Sequence, residues 1–432
     1  MSQLDARYTE TLALNTPTNI PNIPNTPNTT ELNMQTSNIP YNFMPSLRVQ
    51  NIKPSPTLAV TAKAQALRKS GKDVIDLGVG EPDFDTPEHI KEAAVKALYN
   101  GATKYTAVDG TPELKAAVIE KFRRDNQIDY KPNQILVSSG GKQSFFNLCL
   151  ALINKGDEVI IPAPFWVSYP DIVKVAEGIP IIVENNQAQN FKITAEQLEK
   201  AITPRTKLFV LNSPSNPTGK AYSRAELKSL GDVLLRHPHV MIATDDMYEL
   251  IMWREEGFSN ILNVHPELYD RTFVLNGVSK AYAMTGWRIG YCGGPEKIIS
   301  AMKVIQSQST SNPAAVSQAA AVAALNGPQE CIQVMIRAFK ARHEYMVEAL
   351  NQIPGISCTT ADGAFYVFPN VQQLIKQKQL ENDLALSEFW LNEAGIALVP
   401  GSAFGSEGHV RISFATSQEN LEKAIQRISN LI

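Results

Sequence analysis

Lys280 and Arg288 are the two residues whose types and spacing are best suited to chemistry. They lie eight positions apart in the segment 279–290, which follows the apolar run 272–275. A lysine that burial and neighbouring cations keep partly neutral can act as a nucleophile in Schiff-base chemistry. An arginine stays charged and suits a phosphate. The pair therefore indicates a phosphorylated aldehyde cofactor, although the spacing alone is also typical of a surface lysine and a helix-end arginine.

A glycine turn between an apolar run and a predicted helix offers a second anion site. Gly140, Gly141 and Lys142 lie between the run 134–137 and the apolar helix predicted for 144–153. Backbone N–H groups at the start of a helix face outward, and the helix dipole favours an anion there. The turn therefore predicts a phosphate site, while a glycine pair alone is also common in ordinary turns.

Polar side chains follow two further apolar runs, and we predict that these runs, like 134–137 and 157–161, are buried parallel strands. Asn216 comes after 207–211, in a loop held by prolines, where its amide could donate to a ring oxygen. Asp245 ends the run 240–244 and precedes Tyr248. A carboxylate there could pair with a protonated pyridine nitrogen. Because carboxyl ends of parallel strands collect ligands at one sheet edge, these groups are expected to meet.

Several of these residues also have ordinary structural interpretations. Asn216 could belong to a common Asn-Pro turn, and Tyr248 could be a packing aromatic. Asp246 is expected to cap the following helix or to face water. Trp166 follows the run 157–161 and a proline-rich strand end. It could stack on a flat ring or pack in the core.

Five motifs in a fixed order resemble the class I/II aminotransferases of pyridoxal-phosphate fold type I. They are G-E-P-D-F-D-T-P at 80–87, N-P-T-G at 216–219, D-x-x-Y at 245–248, S-K-x-x-x-M-T-G-W-R-I-G-Y at 279–291 and V-R-I-S-F at 410–414. Their joint occurrence is far more specific than any single motif. The similarity runs from about Ser46 to the C-terminus. It is strongest to the bacterial aspartate aminotransferases, a subgroup that includes prephenate aminotransferases.

The resemblance implies pyridoxal 5'-phosphate as the cofactor and assigns the catalytic roles. Lys280 would bond the cofactor aldehyde and move protons, and Asp245 would pair with the pyridine nitrogen. Tyr248 and Asn216 would donate to the phenolic oxygen of the cofactor. Arg411 would bind the substrate α-carboxylate bidentately.

The resemblance also implies further residues that contact the cofactor or the substrate. Trp166 would stack on the ring, and the Gly80 backbone would lie beside the substrate carboxylate. Tyr105 would reach the phosphate of the neighbouring subunit, so a homodimer is expected. The phosphate region would be formed by Gly140, Gly141, Lys142, Ser279 and Arg288.

The chain departs from the family pattern at two positions. Asp246 stands where glutamate is more usual. Gly277, three residues before Lys280, stands where many relatives have a phosphate-binding serine. The second departure puts the hydroxyl contribution to the phosphate site in question, and Ser279 is the candidate replacement.

The reaction implied is transfer of an amino group from L-aspartate or glutamate to 2-oxoglutarate or oxaloacetate. Lys142 would contact the distal carboxylate, or would serve the cofactor phosphate alone. Thr57 matches a position that prephenate-using relatives pair with that lysine, so prephenate stays open as a substrate. A lyase or decarboxylating synthase on the same scaffold and a non-catalytic cofactor-binding regulator are further alternatives.

Composition limits the partners and the compartment. The 432 residues are 44% hydrophobic, enough for a large core in two or three domains. The net charge of −3 gives no electrostatic reason to expect nucleic acid or an anionic membrane. Four cysteines lie far apart without metal spacing and predict free thiols in the cytoplasm. No apolar run reaches about 18 residues, so no membrane span is expected.

Alternating apolar runs and helix candidates predict an α/β fold with a mostly parallel central sheet and a smaller α+β domain. Helices are expected at 87–100, 112–125, 194–202 and over a long region from 316 to 348. The predicted divisions are a disordered tail at 1–43, the N-terminal part of the small domain at 44–85, a large cofactor domain at 86–325, and a C-terminal small domain with its connecting helix at 326–432. The tail is rich in Asn, Thr and Pro and too poor in apolar residues to form a core. Met44 is an alternative start.

Overall fold

The α/β class expected from the sequence is confirmed by the computed structural model. The structure describes residues 44–52 and 56–432, without the side chains of 56–58. The tail predicted for 1–43 and the side chain of Thr57 lie outside the described residues. Within the described part, no helix is both long and apolar enough to cross a membrane, and no cluster of His, Cys, Asp and Glu is arranged to hold a metal ion.

Twelve strands in the described residues form three sheets. Their bounds are β1 Ile75–Asp76, β2 Ile135–Ser138, β3 Glu158–Pro162, β4 Ile179–Val183, β5 Thr206–Asn212, β6 Met241–Asp245, β7 Thr272–Gly277, β8 Gly290–Gly293, β9 Tyr366–Val367, β10 Ile396–Ala397, β11 Val399–Pro400 and β12 Val410–Ser413. The central sheet has seven strands in the order β2-β8-β7-β6-β5-β3-β4. The other two sheets of the described residues, β1-β10 and β11-β12-β9, are small, and their strands do not pair with those of the central sheet.

Strand direction in the central sheet differs from the prediction at one edge. Strands β3 to β7 pair in parallel, which confirms the parallel strands predicted from the runs 157–161, 207–211 and 240–244. The prediction of a parallel strand was wrong for β2, which pairs antiparallel with β8. Because β8 also runs against β7, β2 nevertheless points the same way as β7. The turn after β2 therefore reaches the same sheet edge as the ends of β5, β6 and β7.

The central strands are buried on both faces, which explains their continuous apolar sequences. In β3, Ile160 belongs to one hydrophobic cluster and its neighbours Val159 and Ile161 belong to another. In β5, Phe209 contributes to the first cluster and Val210 to the second. This alternation follows from the two-residue period of a strand. Helices therefore cover both faces of the sheet.

Fourteen α-helices occur in the described residues. Their bounds are α1 Leu47–Gln50, α2 Pro56–Lys69, α3 Glu88–Tyr99, α4 Pro112–Asn126, α5 Gly141–Leu152, α6 Ser168–Val175, α7 Ala195–Ala201, α8 Arg224–Arg236, α9 Glu296–Ser307, α10 Ala315–Asn326, α11 Glu330–Asn351, α12 Gln372–Gln377, α13 Asp383–Phe389 and α14 Gln418–Ser429. Residues of α4, α8 and α10 pack in the first cluster, and residues of α5, α6 and α9 in the second.

Local signals set most helix boundaries, and three predicted helices agree with α3, α4 and α7. The Thr111 side chain accepts from the Leu114 N–H at the start of α4, with Pro112 at the first position. The prediction of one long helical region from 316 to 348 was wrong, because Gly327 and Pro328 separate α10 from α11. Helix α5 begins at Gly141, three residues earlier than predicted.

A third hydrophobic cluster joins both ends of the described chain. It combines Ile75 and Leu77 with residues of α11, the small sheets and α14. The backbone of Ile75 donates to Gly395, and Leu77 donates to Ala397, which ties β1 to β10. Residues 46–432 form one compact unit by their contacts, so the divisions proposed at 85/86 and 325/326 stay predictions.

Candidate active site

The ends of β5, β6 and β7 and the start of α5 border one cleft of about 400 Å³. The sequence-predicted residues that line it are Gly80, Gly141, Lys142, Trp166, Asn216, Asp245, Tyr248, Ser279, Lys280, Arg288 and Arg411. A larger hollow of about 780 Å³ lies between α11, α12 and α14. None of the residues predicted for chemistry lines that hollow, so the smaller cleft is the candidate site.

Lys280 lies just after β7 and lines the cleft. Its Nζ donates to the Gly80 carbonyl at 2.5 Å. Burial, followed by the charge of Arg411, lowers the pKa of Lys280 to about 8. A solvated lysine has a pKa of about 10.4. A much larger fraction of this amine is therefore neutral near neutral pH, which a nucleophile or a base requires.

Asp245 ends β6 and presents a carboxylate to the cleft. Its Oδ2 accepts from the Tyr169 hydroxyl at 2.5 Å, and its Oδ1 accepts from the Met247 N–H at 3.3 Å. Burial raises the pKa of Asp245, and the hydrogen bond from Tyr169 opposes that rise. Tyr169 was not predicted as a site residue, although it lies three residues after Trp166 in the same aromatic segment.

Asp246 is buried, which contradicts the prediction that it caps a helix or faces water. Only 2% of the residue is exposed, and its Oδ2 accepts from Asn260 Nδ2 at 2.6 Å. Burial and the charge of Glu249 raise the pKa of Asp246. Asp246 points away from the cleft because the alternation along β6 and its extension turns adjacent side chains to opposite sides.

A buried polar network lies behind these strand ends. Glu249 accepts hydrogen bonds from the Lys121 amine, from Asn126 at 2.5 Å and from Asn276 at 2.8 Å. Lys121 is 1% exposed. Because a buried ion pair tolerates little movement when its hydrogen bonds are satisfied, the network fixes α4, β7 and the segment after β6 against each other.

Arg411, in β12, carries a buried positive charge into the cleft. It is 2% exposed, donates to Asn216 Oδ1 at 3.0 Å and to the Gly78 carbonyl at 2.5 Å, and pairs with no carboxylate of the described chain. Its Nε is buried without a hydrogen-bond partner among the described residues. A buried, unpaired guanidinium favours binding of an anion. Since Arg411 can only donate, the amide oxygen of Asn216 must face it, which leaves the Asn216 NH₂ group as a donor.

The start of α5 and Arg288 form a second basic region. Gly140 has φ +94°, and a Cβ there would lie 2.2 Å from the Arg288 guanidinium. No side chain caps the first turn of α5. The Gln143 N–H donates to the Gly140 carbonyl, which leaves the N–H groups of Gly141 and Lys142 for an anion. Although Gly140 does not itself line the cleft, its lack of a side chain lets Arg288 approach the turn. Ser279 lines the cleft nearby.

Gly277 has a steric explanation in the structure. A Cβ at this position would lie 3.0 Å from the Ile289 carbonyl oxygen and 3.2 Å from Met247 Cε. Any side chain would therefore push against backbone on one side and Met247 on the other. The serine of the family pattern would require the backbone at Ile289 and Gly290, and the Met247 side chain, to shift slightly.

Lys142 and Trp166 both line the cleft and contact each other. Lys142 lies in the first turn of α5, and its Nζ is 5.0 Å from the centre of the Trp166 ring. Burial and the charge of Arg288 lower the pKa of Lys142. The Trp166 ring, which was expected to stack on a flat ring or to pack in the core, therefore contacts a cation. Trp166 lines the cleft.

Tyr105 lies outside the cleft. It is 91% exposed and borders a separate hollow with Thr111 and Ala315. Within one chain the structure therefore does not bring Tyr105 to the other predicted residues, and its contact with a neighbouring subunit stays a prediction.

Tyr366, which was not predicted from the sequence, does line the cleft.

Comparison with known families identifies the class of this protein. The family model described as aminotransferase class I and II matches residues 72–428. The aspartate/prephenate aminotransferase of Nitrosomonas europaea is 61% identical over 393 residues, covering 90% of this chain and 99% of that protein. The aspartate aminotransferase of Rhizobium meliloti is 50% identical over 392 residues, covering 90% and 96%.

Solved structures give the same result for the fold. The crystal structure of the Rhizobium meliloti aspartate aminotransferase matches with a TM-score of 0.87 and 49% identity, covering 90% of this chain and 98% of that one. The Thermus thermophilus aspartate aminotransferase with maleate matches with a TM-score of 0.85 and 42% identity, covering 90% and 100%. The chain belongs to the class I and II aminotransferase family. It is an aminotransferase of fold type I, which confirms the resemblance seen in its motifs.

The first prediction concerns ionisation of Lys280. Only the neutral amine reacts with an acylating reagent, so labelling of Lys280 in the cofactor-free protein should rise with pH through a midpoint of about 8. Competitive acetylation followed by mass spectrometry of the Lys280 peptide measures that midpoint. Arg411→Met should raise it, since a repelling charge is removed. As a control, Arg123→Met should leave it unchanged, because Arg123 is exposed and pairs with Glu120 and Asp129. A wild-type midpoint near about 10.4 would contradict the account.

Proposed function

We propose that this aminotransferase transfers the amino group of L-aspartate or glutamate to 2-oxoglutarate or oxaloacetate, with pyridoxal 5'-phosphate as cofactor, in a ping-pong sequence. One observation carries the proposal. The buried Arg411, which pairs with no carboxylate of the described residues, lines the same cleft as the partly neutral Lys280. Names of the similar proteins support it, since those of Rhizobium meliloti and Thermus thermophilus are aspartate aminotransferases.

The residues of the cleft fit this cofactor. The uncapped start of α5 and the Arg288 guanidinium suit its phosphate, and the cradle at Gly140 has no room for a side chain. Asp245 would hold the pyridine nitrogen, with Tyr169 fixing the carboxylate. Tyr248 and the NH₂ group of Asn216 would donate to the phenolic oxygen, and Trp166 would cover the ring.

When bound, the cofactor would supply an electron sink that makes the α-carbon of an amino acid acidic. Arg411 would hold the α-carboxylate of the substrate and so orient its α-carbon toward the lysine. Lys280, as a neutral amine, would take the proton from that carbon and return it elsewhere on the reacting system. A positively charged ring nitrogen would lower the pKa of Asp245 and so offset the rise that burial causes. Asp245 would therefore stay ionised.

Lys142 is proposed to contact the distal carboxylate of the substrate. It lines the same cleft as Arg411, and burial lowers its pKa, so an anion would stabilise its charged form. Maleate, the ligand named with the Thermus thermophilus structure, is a dicarboxylate and agrees with two cationic contacts.

Prephenate is a second candidate acceptor. It also carries two carboxylates, and the Nitrosomonas europaea and Cereibacter sphaeroides relatives are named aspartate/prephenate aminotransferases. Comparison of prephenate with oxaloacetate as acceptor for the wild-type protein decides between them. A higher kcat/KM for prephenate would make it the principal acceptor.

The second prediction separates the two carboxylate contacts. A charge-assisted contact contributes about 1.5–3 kcal/mol, or roughly one to two decades in kcat/KM. Lys142→Ala should therefore lower kcat/KM for L-aspartate by that amount more than for L-alanine. Arg411→Lys should lower both, because both substrates have an α-carboxylate. Lys228→Ala serves as the control, since Lys228 is exposed and pairs with Asp232. Equal losses for both substrates in Lys142→Ala would restrict Lys142 to the phosphate.

The third prediction is that the active unit is a homodimer to which Tyr105 contributes across the interface. Support comes from an exposed apolar surface on and after α3, where Val95, Leu98, Tyr99 and Tyr105 are 53%, 51%, 86% and 91% exposed. If each site draws on two chains, mixing inactive Lys280→Ala with inactive Tyr105→Ala should restore part of the activity. A monomer that is fully active at high dilution contradicts this proposal.

A cytoplasmic location is proposed on the basis of the cysteines. Cys149, Cys292, Cys331 and Cys358 are all free thiols in the structure. Unpaired cysteines are usual in a reducing compartment. Recovery of the protein in the periplasmic or secreted fraction of its host would overturn the assignment.

A further inference from the structure

Tyr366 contacts three of the residues to which the motifs assign a role. Its hydroxyl lies 2.9 Å from the Tyr248 hydroxyl, and its ring centre lies 4.6 Å from the Arg411 guanidinium carbon. A Cβ at Gly80 would lie 2.8 Å from the same hydroxyl, so the space that Gly80 leaves open is filled by Tyr366. Tyr366 is 1% exposed. None of the five sequence motifs includes it.

Strand pairing fixes the stack between Tyr366 and Arg411. In the antiparallel pair β9–β12, Tyr366 is opposite Ser413. Arg411 is two residues before Ser413 and therefore lies on the same face, diagonal to Tyr366. The guanidinium carbon also lies 5.1 Å from the Phe404 ring centre. Aromatic faces attract a desolvated cation, so the two rings hold Arg411 in one orientation although no carboxylate pairs with it.

The hydrogen bond between the two hydroxyls determines where the proton of Tyr248 points. A phenol has one proton to donate. If Tyr248 donates into the cleft, its oxygen must accept the bond from Tyr366. Burial raises the pKa of Tyr248 and of Tyr366, so both phenols stay protonated at neutral pH. Tyr366 then has one arrangement that satisfies both groups, in which its O–H donates to Tyr248.

We propose that Tyr366 is a positioning residue with two separable actions. Its ring orients Arg411 toward the substrate carboxylate, and its hydroxyl orients the proton of Tyr248 into the cleft, toward the phenolic oxygen of the cofactor. This inference rests on the proposed function, because it assigns Tyr366 to the same site. The two actions belong to different atoms of one side chain, so different substitutions separate them.

The fourth prediction uses Tyr366→Phe and Tyr366→Leu with the cofactor-loaded protein. Tyr366→Phe keeps the ring and loses the donor. It should bind maleate within about twofold of wild type. The pH midpoint of the visible absorbance of the bound cofactor should rise by about half a unit or more, because Tyr248 then stabilises the anionic phenolic oxygen less well. Tyr366→Leu loses both, and should also weaken maleate binding by about tenfold or more. Calorimetry measures the maleate affinity, and absorbance titration measures the midpoint.

Tyr345→Phe is the matched control, because Tyr345 is on α11 and borders the hollow remote from the cleft. It should change neither quantity. A wild-type midpoint in Tyr366→Phe overturns the role of the hydroxyl, and a loss of maleate affinity in that variant overturns the division between ring and hydroxyl. If Tyr366→Leu does not fold, Tyr366→Phe still decides. Failure of the wild-type protein to bind the cofactor or transaminate L-aspartate rejects the proposed function itself, independently of Tyr366.

Discussion

Burial of several basic groups in one partly enclosed cleft is the physical constraint on which the rest of the site depends. Lys142, Lys280, Arg288 and Arg411 line the same cavity. Burial is the largest cause that lowers the pKa of Lys280, the charges of Arg411 and Arg288 lower it further, and those of Glu81 and Asp245 oppose the shift. Because burial weakens solvent screening, each cation makes the others less favourable. The arrangement favours a neutral amine at Lys280 and binding of anions at the permanently charged arginines. Nucleophile activation and anion recognition therefore have one physical cause.

The fold brings these groups together through strand direction and a rigid support. Strands β5, β6 and β7 deliver the segments with Asn216, Asp245 and Lys280 to one edge of the sheet. Insertion of the antiparallel strand β8 keeps β2 pointing the same way, so the α5 turn joins them. Behind this edge, the buried Lys121–Glu249 pair ties α4 to the segment after β6. The small sheets supply Arg411 and Tyr366 from the C-terminal part of the chain.

Sequence patterns predicted the residues that lie on local motifs, and they failed where distant segments decide the outcome. Lys280, Asp245 and Asn216 each follow an apolar run, so the position of the run and its end sufficed to place them. Asp246 was expected to cap a helix or to face water. Its burial was not predicted, because its partner Asn260 and the neighbouring network come from elsewhere in the chain. Tyr169 and Tyr366 were missed for the same reason, since their hydroxyl contacts are long-range. The break at Gly327 and Pro328, in contrast, was readable from the sequence. Antiparallel pairing of β2 was not, because a strand's own residues do not specify its partner.

The central claim is that Lys280 is the amine that bonds the cofactor. Lys142 lines the same cleft and also has a lowered pKa, so it is the natural competitor. Borohydride reduction of the protein reconstituted with pyridoxal 5'-phosphate, followed by mass spectrometry of its peptides, locates the bond directly. The account predicts a reduced adduct on the peptide that contains Lys280 and none in the Lys280→Ala variant. An adduct on Lys142, or on any lysine other than Lys280, would contradict it.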